Sequence, residues 1–442
     1  MKHGSDTARA LLGLPGFVVR AHAETDGEVQ LWVETTAEVA ACPDCGTRAV
    51  GHGRRPTRVR DLSLSGRPVV LCWEKRRWRC PDPDCARRTW VEQSDQVRPR
   101  SSLTERARFE MCRRVGQDGD SVAEVARAFG VGWHAAMDAV AAHGRPLVDD
   151  PNRLAPTDAV GIDDRNFSRP GAEHPSTWAT VVVDLRRCQV LDVVAGRSQG
   201  PLRAWLDAQP AWWCQAVRLV GTDLHESYRS AATRPPKGSD VPARLAHAQV
   251  VADPFHVVAV LNDHLLRARL RVQREVLGRR GRKGDPLWDI RRLLLMGAER
   301  LSAGNARRLA AGLAAGDPTG ELHEAWAVKE LGRSIYLTDD PDQAAARLDA
   351  LVARCRASRV PECRSLVRFL TRWREPILAH HRHKISNAKT EALNLGIEQL
   401  VRKARGFRRF DNYRLRVLLS FGVKWQTPPV ARIRGRQPHL AA

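Results

Sequence analysis

Ala159-Val160-Gly161-Ile162 runs into Asp163, Val217-Arg218-Leu219-Val220 leads to Asp223, and Glu391 stands far downstream within Asn387-Ala388-Lys389-Thr390-Glu391-Ala392-Leu393-Asn394. The first two stretches are short β-branched runs that read as strands, and the third has helical character. Two carboxylates at strand ends and one on a late helix converge only if strands and helices share one α/β core. In open sheets the ligand crevice lies beyond the carboxyl ends of the strands, where Asp163 and Asp223 stand. Taken singly, an Asp after a strand is an ordinary turn former or helix cap; the three together carry the reading.

The chain has 442 residues, with 72 Lys plus Arg against 50 Asp plus Glu and a formal net charge of +22. Such a length accommodates about three domains of ~100–200 residues, and the basic excess points to nucleic acid as partner. No apolar run approaches the roughly 18 residues of a membrane span. The run at 11–19 lacks a basic leader and a cleavage site, so the expectation is a cytoplasmic, nucleoid-associated protein without a membrane partner. Several of the ten cysteines cluster toward the N-terminus, which in a long chain without a leader suggests metal ligands rather than disulfides.

Residues 1–95 read as a β-rich module, with period-two patterns at 27–33 and 68–73. Within it lie Cys42-Pro43-Asp44-Cys45-Gly46 and Arg79-Cys80-Pro81-Asp82-Pro83-Asp84-Cys85. Each pair sits on turn-forming residues that can aim two thiolates at one tetrahedral zinc ion. The second pair has four intervening residues where two are usual. His52 is a rival ligand, and Cys72 reads as a buried strand residue.

Residues 96–150 read as helical. Ser121 caps an apolar-periodic segment, Gly130-Val131-Gly132 interrupts it, and Trp133 and His134 open a second helix. This is the pattern of a DNA-binding helix-turn-helix, with Trp133 and His134 as candidate DNA contacts. A proline-bounded linker leads to mixed α/β sequence over 157–258, with strand-like runs at 159–162, 178–184, 190–195, 217–220 and 248–252. Residues 259–383 read as a helical insertion, including a helical stretch over 287–314. Residues 384–424 read as the final helices of the core, carrying Glu391, and 425–442 as a basic tail.

Cutting and joining phosphodiesters requires an activated water or 3′ hydroxyl and neutralisation of the phosphate charge. Two divalent cations about 3.5–4 Å apart, held by carboxylates, meet both demands. The expected fold is therefore multidomain α/β: a ribonuclease-H-like catalytic core with a large helical insertion, preceded by a β-rich zinc ribbon and a helix-turn-helix. Lys384, Lys389, Arg402, Lys403 and Arg405 surround Glu391 in sequence as candidate DNA-backbone contacts.

The sequence resembles the DDE transposases of the bacterial insertion-sequence family ISL3 over most of its length. The resemblance rests on the cysteine ribbon, Gly161-Ile162-Asp163, the 178–185 strand, Asp223 and the helix after it, and Val251-Ala252-Asp253-Pro254-Phe255-His256-Val257-Val258. It rests most specifically on 386–407 and on Phe410-Asp411-Asn412-Tyr413-Arg414-Leu415-Arg416. It implies a transposase that binds the terminal inverted repeats of its element and moves them by strand cleavage and transfer, with Asp163, Asp223 and Glu391 holding Mg2+ or Mn2+. Asp164 stands where the family commonly has Glu. Asp253 is the rival for the second acid, and otherwise it joins His256 and Asn387 as a supporting residue. The implied partners are double-stranded DNA, as terminal repeats and target, and further copies of the chain on DNA. The alternatives are a ribonuclease-H-like nuclease that cuts without joining, and a catalytically inactive or domesticated DNA-binding regulator.

Overall fold

Two-residue turns fix the pairing of the first strands. Asp26 and Gly27 take φ of 53° and 77°, and Ser65 and Gly66 take 50° and 80°. Positive φ at both central residues matches the turn to the twist of the strands it joins. The first turn links β1 (Phe17–Thr25) to β2 (Glu28–Thr35), and the second links β3 (Val50–Leu64) to β4 (Arg67–Arg79). With β5 (Thr89–Val91) on β4, they form a sheet of order β1-β2-β4-β3 in which β2 and β4 run parallel. Alternate β2 residues Val29, Leu31 and Val33 are buried with Phe17, Leu71 and Trp73, and Phe17 meets Trp73 edge-on at 5.0 Å.

The structure is a computed structural model that describes residues 12–168 and 177–426. Its chain forms two compact units, Met1–Arg153 with Leu400–Ala442, and Leu154–Gln399. Nearly all of the expected basic tail, and the start of the expected first module, lie outside the described residues.

In the first unit, α1 (Glu105–Gly116), α2 (Val122–Ala128) and α3 (Trp133–Val148) follow the sheet. Ser121 and Glu124 cap α2 reciprocally, and Gly130 ends it at φ 62°. The boundary expected at residue 95 is bridged rather than open. Buried Asp61 on β3 accepts from Thr104 Oγ1 at 2.6 Å and Arg106 Nε at 2.8 Å, which ties the start of α1 to the sheet.

The second unit is built on β6 (Ala159–Ser168), β7 (Thr177–Asp184), β8 (Gln189–Ala195), β9 (Leu219–Thr222) and β10 (Gln249–Ala252). Their order is β10-β9-β6-β7-β8. Strands β6, β7 and β8 form an antiparallel meander, whereas β9 and β10 run parallel to β6. Helices α4 (Gln199–Asp207), α5 (Ala211–Ala216) and α6 (Glu226–Thr233) bury Leu202, Trp213 and Tyr228 with Val160, Ile162 and Val220 of the sheet.

A largely helical segment follows: α7 (Pro254–Leu277), α8 (Pro286–Asp289), α9 (Ala303–Gly316), α10 (Glu321–Ser334), α11 (Pro341–Ala357), α12 (Pro361–Arg372) and α13 (Arg374–His383). Leu261, Leu265, Leu322, Leu348, Leu351 and Leu366 form its core. Helix α14 (Ala388–Lys403) then carries Glu391.

Three expectations are revised. The strand at 159–162 continues to Ser168, so Asp163 lies within it. The helix expected over 287–314 is broken into α8, two 3-10 turns (Leu293–Leu295 and Ala298–Arg300) and α9. The segment 384–424 is divided between the units. Its last helix, α15 (Phe410–Phe421), packs on α1 and α3 because Gly144 leaves room: a Cβ there would lie 2.9 Å from Leu419 Cδ1 and 3.3 Å from Leu415 Cδ1. Arg416 of α15, 2% exposed, donates to the Val115 carbonyl at 2.7 Å and the Asp120 carbonyl at 3.0 Å.

Candidate active site

Strand register brings three acids into one row. Ile162 on β6 pairs with Thr222 on β9, and Thr222 pairs with Ala252 on β10, all parallel. The next residue of each strand or strand end is Asp163, Asp223 and Asp253. The row forms where β9 and β10 end, beside the middle of β6, so the crevice rule holds for two of the three strands.

The three acids are not equivalent. Asp253 is 5% exposed and both its oxygens serve backbone amides: Oδ1 caps α7 at Phe255 N (2.8 Å) and Oδ2 takes Asn387 N (2.6 Å). That second bond fixes the start of α14 over the sheet. Asp163 and Asp223 are met by side chains of α14 instead. Asn394 Nδ2 donates to Asp163 Oδ2 at 2.6 Å, and Asn387 Nδ2 donates to Asp223 Oδ1.

Residues 387, 391 and 394 lie on one helix face, so Glu391 projects between the two asparagines. His256, in the first turn of α7, stands between the remaining carboxylates: Nε2 lies 3.1 Å from Asp223 Oδ1 and 3.4 Å from Glu391 Oε1. It therefore faces the site and is not a core histidine. Asp164 lies on the opposite face of the strand, and its amide donates to Asp163 Oδ1 at 2.7 Å.

Close packing makes this possible. A Cβ on Gly161 would stand 2.3 Å from Thr390 Oγ1, 2.8 Å from Leu185 Cδ2 and 3.0 Å from Asn387 Oδ1. Only a bare backbone lets α14 approach β6 so nearly. Leu224, directly after Asp223, takes φ of 61°, a conformation that costs a branched residue energy and recurs at functional sites.

The electrostatics follow from two acids sharing a buried corner. Burial first, then the charge of Asp223 and the hydrogen bond shared with it, push the Asp163 carboxyl up to about 7. Burial also pushes Asp223 up, but the contact with His256, the Asn387 amide and the bond from Asp163 leave it below the ordinary carboxylate range. The Asp223 contact raises His256 against the effect of burial.

A second cluster lies in the β-rich module. The sulfurs of Cys42, Cys45, Cys80 and Cys85 all lie within 4.8 Å of one another, with Cys42 and Cys85 3.7 Å apart and Cys45 and Cys80 3.5 Å apart. The wider second spacing is absorbed by a turn in which the Asp84 amide donates to Asp82 Oδ1 at 2.9 Å. Hydrogen bonds from Thr47 bring Cys45 down to about 7, whereas burial pushes Cys80 up to about 12. Among the described residues this is the one group of three or more His, Cys, Asp or Glu so closely drawn. Neither His52 nor Cys72 belongs to it. The acids of the α/β unit are bridged more loosely: Asn387 meets Asp223 and Asp253, His256 stands between Asp223 and Glu391, and Asn394 meets Asp163.

The model of the ISL3 DDE transposases, described as "Transposase", matches residues 160–417. This chain belongs to that family. A second model, "zinc-finger of transposase IS204/IS1001/IS1096/IS1165", matches residues 38–85, the span of the four cysteines. The ISL3 transposase is 26% identical over 398 residues to the transposase for insertion sequence element IS1001 of Bordetella parapertussis, covering 89% of this chain and 91% of that one. It is also 26% identical over 277 residues to the transposase for insertion sequence element IS1557 of Mycobacterium tuberculosis, 58% of each chain. No solved structure matches.

The other candidate residues are dispersed over the transposase. Trp133 and His134 are exposed at the start of α3, edge-on at 5.2 Å. Lys384 pairs with Asp339 at 2.6 Å, Lys389 donates to the Arg186 carbonyl at 3.2 Å, and Lys403 lies 3.4 Å from Asp120 and 3.6 Å from Glu124. Arg402 and Arg405 are exposed. Asn394 is the site residue that sequence reasoning left without a role. Its signal was present in the 387-391-394 spacing, but a helix face becomes a site only once its partner is known.

Gly161→Ala is expected to lower the unfolding free energy by about 1–3 kcal/mol in urea titration, and more than Gly221→Ala, where the nearest atom to a Cβ is Leu185 Cδ1 at 3.2 Å. Adding Thr390→Ala to Gly161→Ala should recover part of the loss.

Proposed function

We propose that this transposase binds the terminal inverted repeats of its insertion sequence and cleaves and transfers their strands with Asp163, Asp223 and Glu391 as the metal-holding triad. The observation that carries the reading is the strand register that sets Asp163 beside Asp223, under a helix face whose asparagines reach both and whose Glu391 shares His256 with Asp223. The β10-β9-β6-β7-β8 order, an antiparallel meander extended by parallel strands, supports a ribonuclease-H-like core over 157–258. That core is closed by the helix that carries Glu391 after the insertion at 259–383.

The donor set suits magnesium or manganese. It consists of hard carboxylate oxygens, and burial together with the neighbouring charge of Asp223 pushes the Asp163 carboxyl up to about 7. When bound, such ions supply an activated oxygen nucleophile and stabilise the departing oxygen. The chain's own residues orient that set: Asn387 and Asn394 fix Asp223 and Asp163, Asp253 seats the start of α14, and His256 spans the gap to Glu391. In the β-rich module, Cys42, Cys45, Cys80 and Cys85 hold one structural zinc ion. Residues 1–95 and 96–150 recognise DNA, with α2 and α3 as a helix-turn-helix that presents Trp133 and His134. Two element ends must be joined, so the working form on DNA is an oligomer of the chain.

Asp163→Asn and Glu391→Gln should each reduce cleavage of duplexes bearing the repeats that flank the gene to background, with gel-shift affinity nearly unchanged; cleavage at the wild-type rate by either variant excludes the triad. Cys42→Ser with Cys45→Ser should take zinc, read by elemental analysis, from about one per chain to none, and zinc retained in full excludes the ribbon. Magnesium binding should release a proton from the Asp163–Asp223 pair. By calorimetry in buffers of different ionisation enthalpy, the release should be larger below the value of about 7 at which Asp163 titrates than above it, and an equal release at pH 6 and pH 8.5 would separate the pair from the cation site.

A further inference from the structure

Helix α7 buries Val257, Leu261, Leu265, Ala268 and Val272 against the core of the insertion. On its opposite side Ala259, Asp263 and Arg267 follow at four-residue intervals, Arg267 closes on Asp263 at 2.5 Å, and Leu270 is 43% exposed further along. At the head of that solvent side stands Phe255, 67% exposed.

A single apolar side chain at a surface is ordinary. Two features set this one apart. The first is its anchorage: Pro254 opens the helix with a fixed φ, and the Phe255 amide is capped by Asp253, whose other oxygen holds the start of α14. The second is its address. The Phe255 ring lies edge-on to the His256 imidazole with centroids 5.3 Å apart, and His256 reaches Asp223 and Glu391. A solvent-facing aromatic ring is thus one side chain away from two of the carboxylates. Leu395, one turn beyond Glu391 on α14, is likewise 61% exposed, so each of the two helices that bring His256 and Glu391 also presents an apolar side chain to solvent.

Phosphates and cations gain nothing from such side chains, but nucleobases do. Every base has a π-face, so an aromatic platform takes bases without regard to sequence. Enzymes that act on a base hold its nucleotide out of the stack at a cost of a few kcal/mol, so an unstacked base is within reach of a protein platform. We propose that Phe255 is a nucleobase platform: it stacks on a base unstacked from the duplex beside the scissile phosphate and so sets that phosphate against the acids. The inference rests on the reading that these carboxylates cut DNA. Phe255 acts by positioning, and no proton or metal contact is assigned to it.

The test uses the full-length chain, its Phe255→Ala and Phe255→Trp variants, and duplexes carrying the element's own terminal repeats. One set of duplexes is intact, and the other has an abasic site at each nucleotide flanking the cut in turn. On intact duplex, Phe255→Ala should lower the cleavage rate at saturating DNA by about five- to a hundredfold, the worth of one stacked base, while half-saturation changes little and Phe255→Trp cleaves close to wild type. At one abasic position the wild-type chain should fall to the rate of Phe255→Ala, and the variant should lose nothing more. Wild-type cleavage by Phe255→Ala, or losses that multiply at every abasic position, overturns the proposal. Failure of the wild-type chain to cut any of these duplexes overturns the parent reading, and this one with it. Matching thermal unfolding of the variants confirms that an exposed side chain was changed without disturbing the fold.

Discussion

The hydrogen bond from the Asn387 amide to Asp253 is the constraint on which the site depends. It joins a sheet that ends near residue 252 to a helix that begins near residue 388, across more than a hundred intervening residues. An amide meeting a buried carboxylate is a charge-assisted bond, stronger than a neutral one, and Asp253 uses its other oxygen to start α7. One side chain therefore sets both the departure of the chain from the sheet and its return. With α14 seated there, Gly161 allows the close approach, and Asn387, Glu391 and Asn394 meet their partners without further adjustment.

The same arrangement explains why three acids in one register row do different work. Asp253 is buried, and its two oxygens are engaged by the backbone amides that start α7 and seat α14. Asp163 accepts from Asn394 and from the Asp164 amide, Asp223 accepts from Asn387 and lies beside His256, and these two carboxylates face each other in one buried corner. Two like charges in a low-dielectric corner are unstable unless a proton or a cation intervenes. The shift of Asp163 toward neutrality and of His256 toward its charged form are two expressions of that imbalance. In such a corner the protein partners leave negative charge only partly cancelled.

Much of this was legible in the sequence, and the exceptions have physical causes. Strands β7, β8 and β10 announce themselves because their β-branched runs are bounded by turns. The four cysteines are legible from spacing, because two short thiolate pairs on turns leave little else to infer. Strand β3 was hidden by Gly51, Gly53 and Pro56, which read as turn signals. At the edge of a sheet they are tolerated, because a missing donor on the open side leaves no ladder bond unmade. Strand β1 was hidden by the register shift between Val19 and Ala21, which breaks its alternation. Family resemblance supplied Asp163, Asp223 and Glu391 as a set, but not the reason Asp253 differs from Asp223. That reason is a hydrogen bond between residues 134 positions apart, which no local pattern encodes.

The interruption of the core by a long helical segment has a consequence for how the fold must form. Strands β6 to β10 can pair locally, but Glu391 can join them only after α7 to α13 have folded into a body whose two ends lie side by side. The core of that body, built on Leu261, Leu322, Leu348 and Leu366, thus acts on the acid cluster at a distance, by holding the chain's exit and re-entry in register. Loop closure over such a length costs little more entropy than over a shorter one when the intervening chain is flexible. A structured insertion contributes something different: it limits where α14 can begin. The insertion's stability and the geometry of the acids are therefore coupled through Asp253, the residue that both α7 and α14 use as their starting point.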